Sequence, residues 1–174
     1  MKRAITTSLG GLRVGLFAVF ICGCGYSFSG SSLPSYIKTI AIPVLENQSL
    51  DYQVADEVTQ ALVDRFISDN RLKVAPISQA DAVLQGVLNA YENKVYGYSR
   101  DEAPEQYIVI MKISLALTDR VKNREIWAEE NLVASGVYSP GGLIPGGPTS
   151  EEEARQKALE DLANDVLSRT LEQW

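Results

Sequence analysis

Histidine is absent from all 174 residues of this sequence, and cysteine occurs only twice. The chain therefore lacks the side chain that most often serves as a general base and as a metal ligand. Basic residues are also outnumbered, because 16 lysines and arginines face 22 aspartates and glutamates, which gives a net charge of −6. Such a chain lacks the basic face of a general nucleic-acid-binding protein. The composition predicts no metal, no cofactor and no nucleic-acid partner.

A long apolar segment near the start is missing as well. The apolar run at Val14–Ile21 is far shorter than the roughly 20 residues that a membrane-spanning helix needs. Three basic residues precede this run: Lys2, Arg3 and Arg13. Small residues follow it. A charged start, a short apolar middle and a small-residue end are typical of a secretory signal peptide. We therefore assign residues 1–23 to a signal peptide.

Both cysteines lie directly after the apolar run, in the stretch Ile21-Cys22-Gly23-Cys24. This stretch resembles the lipobox of bacterial lipoproteins, which ends at the cysteine that takes a diacylglycerol thioether. Cys24 fits the pattern, whereas Cys22 follows the bulky Phe20 and Ile21 and fits it poorly. We predict that Cys24 is lipidated and that Cys22 leaves with the signal peptide. The alternatives, a reduced pair in a cytosolic protein or a small disulfide-like Cys-x-Cys, leave the apolar run without a role.

The mature chain is predicted to consist of a tether and one domain. Residues 24–35 are rich in serine and glycine, a composition typical of flexible linkers. Residues 36–174 have a length typical of a single α+β domain. A chain of this size buries about 68–70% of its unfolded surface, so a core can form without disulfides or metals.

Hydrophobic periodicity divides this domain into strands and two helices. One helix is predicted from an N-cap at Asp51 to a left-handed C-cap at Asn70, and a second from a capping box at 150–153 to Leu171. Polar turns are predicted at 44–50 and 121–124, and strands at 36–42, 71–75, 82–98, 107–119 and 125–137. The order β-α-β-β-β-β-α predicts an α+β sandwich, in which a single sheet of about four to five strands packs both helices on one face.

The strand at 107–119 alternates strictly, with apolar residues at every odd position from Tyr107 to Leu117. Its other face mixes Ile108 and Ile110 with Lys112 and Ser114, the character of an interaction surface rather than of a second core. A Gly/Pro-rich loop at 139–148 carries two further apolar residues, Leu143 and Ile144. These features favour a protein that works by contact.

The sequence offers no pattern typical of an active site, and no catalytic residue is predicted. Glu129 and Glu130 are adjacent in a predicted strand, so their side chains point to opposite faces. The acidic run at 151–153 is explained by a helix start. The glycine pairs of the loop lack the lysine of a phosphate-binding loop.

Arg120, Lys122 and Arg124 crowd one predicted hairpin turn of an acidic protein. A charged turn is usually only solvated, and the alternative is an anchor for phosphate or carboxylate groups. Several tyrosines near strand ends are compatible either with an interface or with packing at the core edge: Tyr91, Tyr96, Tyr98, Tyr107 and Tyr138.

The start Cys24-Gly25-Tyr26-Ser27-Phe28 and the segment LPSYIKTIAIPVLENQS resemble the LptE family of lipopolysaccharide-assembly lipoproteins. The element order and an alanine-rich last helix before Trp174 add to the resemblance. It implies a non-enzymatic protein inside the β-barrel LptD, which assists barrel assembly and helps deliver lipopolysaccharide to the outer leaflet of the outer membrane. Gly25, in place of an aspartate that commonly retains lipoproteins at the inner membrane, favours a lipid-anchored protein of the outer membrane that faces the periplasm.

Lipopolysaccharide carries several negative charges in its lipid A and inner core. Given the resemblance, we predict that Arg120, Lys122 and Arg124 contact lipopolysaccharide. Two other functions stay open, namely another envelope or secretion-assembly lipoprotein and a lipid-anchored hydrolase that uses carboxylates. The hydrolase needs two acids on one concave face, and the sequence offers no such pair.

Overall fold

The computed structural model describes residues 33–172. The predicted signal peptide, Cys24, residues 24–32 of the tether and Trp174 lie outside the described residues. The described part of the chain forms two helices, α1 (Val54–Asp69) and α2 (Glu151–Glu172), and one short 3-10 helix at Ile77–Gln79. Its six strands are β1 (Thr39–Ala41), β2 (Glu46–Asn47), β3 (Lys73–Val74), β4 (Ala82–Tyr98), β5 (Pro104–Asp119) and β6 (Arg124–Tyr138).

The strands form one mixed sheet in the order β3-β1-β4-β5-β6, and β2 also pairs with β4. Strands β1, β2 and β3 pair in parallel, whereas β4, β5 and β6 form a long antiparallel meander. The predicted α+β class is confirmed. The sheet has six strands rather than four to five because Glu46 and Asn47, predicted to lie in a polar turn, pair with Val87 and Leu88.

The predicted alternation along β5 is confirmed. Five consecutive odd-numbered side chains are at most 2% exposed: Val109, Met111, Ile113, Leu115 and Leu117. Their side of the sheet is covered by both helices, which contribute Leu62, Phe66, Leu162 and Val166 to the same core. The even-numbered side chains of β5 lie on the other side of the sheet, because side chains alternate along a strand.

The structure confirms the predicted caps at Asn70 and Ser150, extends α2 by one residue and corrects the start of α1. Asn70 adopts a φ of 60°, and its N–H bonds the carbonyl of Phe66, as a left-handed C-cap does. At the start of α2, Ser150 Oγ accepts the N–H of Glu153 at 3.2 Å, and α2 runs one residue past the predicted Leu171. The N-cap predicted at Asp51 is wrong. Its carboxylate accepts the N–H of Gln53 in a turn before the helix, and Gln53 itself occupies the N-cap position.

Helix α2 packs closely against β6. A Cβ atom on Gly136 would lie 2.2 Å from the carbonyl oxygen of Ala154, so only glycine fits beneath the first turn of α2. Because both helices lie on this side, no helix within residues 33–172 covers the opposite side of β4, β5 and β6. We call that opposite side the open face.

Candidate functional site

The open face is built by residues of three neighbouring strands that lie side by side. Register places Lys112 between Ala90 and Val133, and Ile110 between Glu92 and Ser135. Ile108 lies between Lys94 and Val137 in the same way. Val133 is 61% exposed, and Ile108 and Ile110 are half-buried. The open face is therefore an accessible surface that mixes apolar and charged side chains.

The charges of the open face are arranged around one carboxylate. Lys94 and Lys112 both contact Glu92, and the Lys112 ammonium lies 3.4 Å from it. The hydrogen bond from Lys94 and the positive charge of Lys112 lower the pKa of Glu92 below its ordinary value. A partly apolar patch with charged neighbours is the composition of a protein interaction surface, since surface patches of this kind often mark binding sites.

One end of the sheet, where β4 turns into β5, exposes aromatic side chains. Tyr96 is 61% exposed and Tyr98 is 64% exposed. The other three tyrosines pack against the rest of the chain. Tyr107 stacks on Tyr138, with ring centroids 5.3 Å apart. The Tyr91 hydroxyl donates a hydrogen bond to the Glu151 carboxylate at 2.5 Å. The tyrosine cluster thus divides into two exposed rings and three packed ones.

The Gly/Pro-rich loop lies beside this aromatic end. Ser139 closes the loop by donating its N–H to Pro148, and its hydroxyl donates to the carbonyl of Glu105 in β5. Leu143 at the tip is 52% exposed, as predicted. Ile144 is half-buried and packs over Gly147, so the loop presents one apolar residue rather than two.

The three predicted lipopolysaccharide contacts lie together at the opposite end of the sheet, in the turn between β5 and β6. Each already has a partner within the chain. Arg124 Nε lies 3.4 Å from the Asp119 carboxylate, and the Arg120 guanidinium donates to the carbonyls of Ile77 and Ala80. The Lys122 ammonium lies 4.7 Å from the centroid of the Tyr36 ring, in a cation–π contact. The turn is exposed, but its arginines also hold the structure together.

Asp119 is the centre of this arrangement, and sequence reasoning missed it. Its side chain is fully buried and accepts hydrogen bonds from the Tyr36 hydroxyl, from the N–H groups of Val121 and Lys122, both at 3.0 Å, and from Arg124. Burial raises the pKa of Asp119, but these hydrogen bonds outweigh it and hold the pKa below its ordinary value. An aspartate at the start of a tight turn is the signal that could have found it.

The carboxylates of the described part of the chain form no metal-binding cluster. Among residues 33–172, no three metal-binding side chains lie together. Glu129 lies 3.5 Å from Arg169 of α2, whereas Glu130 is exposed. None of the helices between residues 33 and 172 has the length and hydrophobicity needed to cross a membrane.

Residues 37–170 match the sequence model of a family described as LptE, lipopolysaccharide-assembly. A comparison with curated proteins gives no match. Among solved structures, the PelC dodecamer from Paraburkholderia phytofirmans is 16% identical, with a TM-score of 0.52 over 82% of this chain and 95% of that chain. Protein XCC0632 from Xanthomonas campestris is 11% identical, with a TM-score of 0.55 over 80% of this chain and 88% of that chain. At these identities, the two structures share the fold alone.

Proposed function

The chain belongs to the LptE lipopolysaccharide-assembly family, and from this premise we propose that it partners the outer-membrane β-barrel LptD. In this role it assists assembly of the barrel and helps insert lipopolysaccharide into the outer leaflet. The role is one of contact and requires no enzymatic step. The observation that carries the proposal is the open face, a half-apolar surface over three strands that no described element covers.

The open face supports the proposal through its composition and its position. Ile108, Ile110 and Val133 supply apolar area, and Lys94 and Lys112 supply charge beside and between them. Interfaces between proteins that are also stable apart mix apolar and polar area in this way. A domain enclosed by a barrel needs such a surface toward the barrel wall, in addition to its own core.

Depletion of the protein tests this role directly. We expect LptD to copurify with the wild-type protein in a one-to-one complex, and to accumulate in a misassembled form when the protein is depleted. Lipopolysaccharide at the cell surface should fall at the same time. Normal barrel folding and normal lipopolysaccharide export after depletion would contradict the proposal.

The proposed anchor at Cys24 is tested by labelling with radioactive palmitate. Cys24→Ala should abolish labelling and leave an unprocessed or soluble periplasmic form, whereas Cys22→Ala should label normally. Labelling that survives in Cys24→Ala but is lost in Cys22→Ala would reverse the assignment. In a density gradient, the wild-type protein should follow the outer membrane, and recovery with the inner membrane would contradict the proposed location.

We also propose that the turn between β5 and β6 contacts the anionic groups of lipopolysaccharide through Arg120, Lys122 and Arg124. Lys122→Gln is the cleaner test, because Arg120 and Arg124 bond carbonyl and carboxylate oxygens of the chain, whereas the Lys122 side chain makes only a cation–π contact with Tyr36 among residues 33–172. A hydrogen bond to a charged group contributes about 1.5–3 kcal/mol, so lipopolysaccharide affinity should fall about ten- to hundredfold. Lys157→Gln, which changes a 60% exposed lysine of α2, is the matched control. Equal affinity of the two variants would reject this contact.

A further inference from the structure

Strand β6 forms one edge of the sheet, and within residues 33–172 its outer side pairs with no other strand. At 15 residues, β6 is long for an edge strand. Proteins usually protect such edges with charged residues, prolines or short strands, since unpaired N–H and C=O groups can pair with another chain. Residues 131–138, NLVASGVY, contain neither a charge nor a proline.

A groove runs between this edge and α2, with a volume of about 230 Å³. The residues that line this groove come from β6 and α2: Leu132, Val133, Ala134, Ser135, Ala158, Asp161, Leu162 and Asp165. An added strand would lie about 4.8 Å from β6 and send alternate side chains to the two sides of the sheet. One set of its side chains would enter the groove, and the other set would lie beside Val133 and continue the open face.

The charges at the groove favour a basic occupant. Asp161 and Asp165 stand on its helical wall and are 63% and 48% exposed. Each has a lysine or arginine partner one turn away on α2, at 3.3 Å and 2.8 Å, and such exposed pairs contribute little and exchange readily. A second copy of this chain would bring its own Asp161 and Asp165 to the same junction, where like charges repel each other.

We propose that the edge of β6 between residues 131 and 137 is a strand-addition site, which takes an extended segment of another protein with alternating apolar and basic side chains. Main-chain hydrogen bonds to β6 give affinity in this mode of recognition, and the side-chain pockets give specificity. The inference rests on the edge and the groove, and does not depend on the role proposed above.

The test uses the full-length lipoprotein in detergent and a synthetic peptide of seven alternating valines and lysines. Two control peptides carry N-methyl groups on alternate amides, or glutamate in place of lysine. Titration calorimetry measures affinity, and amide hydrogen exchange locates the bound peptide. We expect the N-methylated and glutamate peptides to bind at least tenfold more weakly. Exchange should slow in residues 131–137 with the parent peptide only.

The variant Asp161→Asn/Asp165→Asn should weaken binding of the lysine peptide several-fold, whereas Asp64→Asn on α1 should leave it unchanged. Equal binding of the N-methylated peptide would overturn the proposal, because main-chain pairing would not be involved. Absence of binding at millimolar peptide, or protection in another strand, would overturn it too. Slowed exchange of residues 131–137 by self-association, without peptide, would assign the edge to a second copy instead.

Discussion

The two faces of the sheet differ although the same strands build both. Between Val109 and Leu117 of β5, the side chains toward the helices, such as Ile113, are at most 2% exposed, and those toward the open face are half-buried, as Ile110 is, or exposed. The covered face supplies the core that holds the fold, and the open face holds similar side chains whose burial is incomplete. A residue of the same type should therefore matter for stability on one face and for recognition on the other.

The largest expected effect compares two isoleucines of β5. Ile113→Ala removes a fully buried side chain and should lower the free energy of unfolding by about 2–5 kcal/mol. Ile110→Ala on the open face should cost about 1 kcal/mol or less, since surface sites tolerate substitution better. Urea denaturation of both variants measures the difference. Equal losses would mean that the open face is part of the core.

The next effect concerns two carboxylates, one on each face. A folded-state pKa below the ordinary value gives stability above that value, which is lost as the pH falls through the folded pKa. Asp119→Asn should lower the free energy of unfolding by about 1.5–3 kcal/mol at neutral pH. Below pH 3.8, the variant should lose less stability with falling pH than the wild type does. Glu92→Gln should change little, because its lysine partners are more than half exposed and screened by solvent. Unfolding measured over a series of pH values tests this contrast. Equal losses of stability in Asp119→Asn and Glu92→Gln would contradict it.

A third comparison uses two glycines. Gly136→Ala places a methyl group against the backbone of Ala154, so α2 must shift, at a cost of about 1–3 kcal/mol. Gly141→Ala in the Gly/Pro-rich loop meets no atom within 4 Å and should leave stability unchanged or slightly raised. Thermal unfolding of both variants is the measurement. A neutral Gly136→Ala would show that α2 does not press on β6 as described.

The smallest effect appears at alkaline pH. Burial, together with the hydrogen bond to Glu151, raises the pKa of Tyr91 from 10.0 to about 12. A raised pKa gives stability that is complete below pH 10 and is lost as the pH rises toward 12. Tyr91→Phe should cost about 1 kcal/mol at neutral pH and should lose less stability between pH 10 and 12 than the wild type. Measurements of the free energy of unfolding between pH 10 and 12 check this expectation. If the wild type and Tyr91→Phe lose stability in parallel, the raised pKa of Tyr91 is contradicted.

Local pattern was sufficient for much of the fold. Alternation located β5 and the side that faces the helices, and the left-handed cap at Asn70 and the cap at Ser150 were read from residue type. The pattern failed at β2, whose two polar residues become a strand only because β4 lies beside them. It also failed at Asp51, which bonds its own turn instead of capping α1.

The surface could be predicted less completely, because several of its contacts join residues that lie far apart along the chain. The alternation of β5 indicated the open face, since parity alone decides which side a residue takes. Tyr36, which contacts both Lys122 and Asp119, could not be found in this way, because it lies 83 residues from Asp119 along the chain. The unprotected edge of β6 likewise follows from the strand order, which the sequence does not state.

Site-specific photo-cross-linking asks whether the open face contacts LptD in the cell, as proposed. The photoreactive amino acid benzoylphenylalanine would replace Lys112 on the open face and, as the matched control, Ile67 on α1, which is 58% exposed. We expect position 112 to yield a cross-link to LptD, and position 67 to yield a much weaker one or none. Cross-linking to LptD at position 67 but not at position 112 would contradict the account.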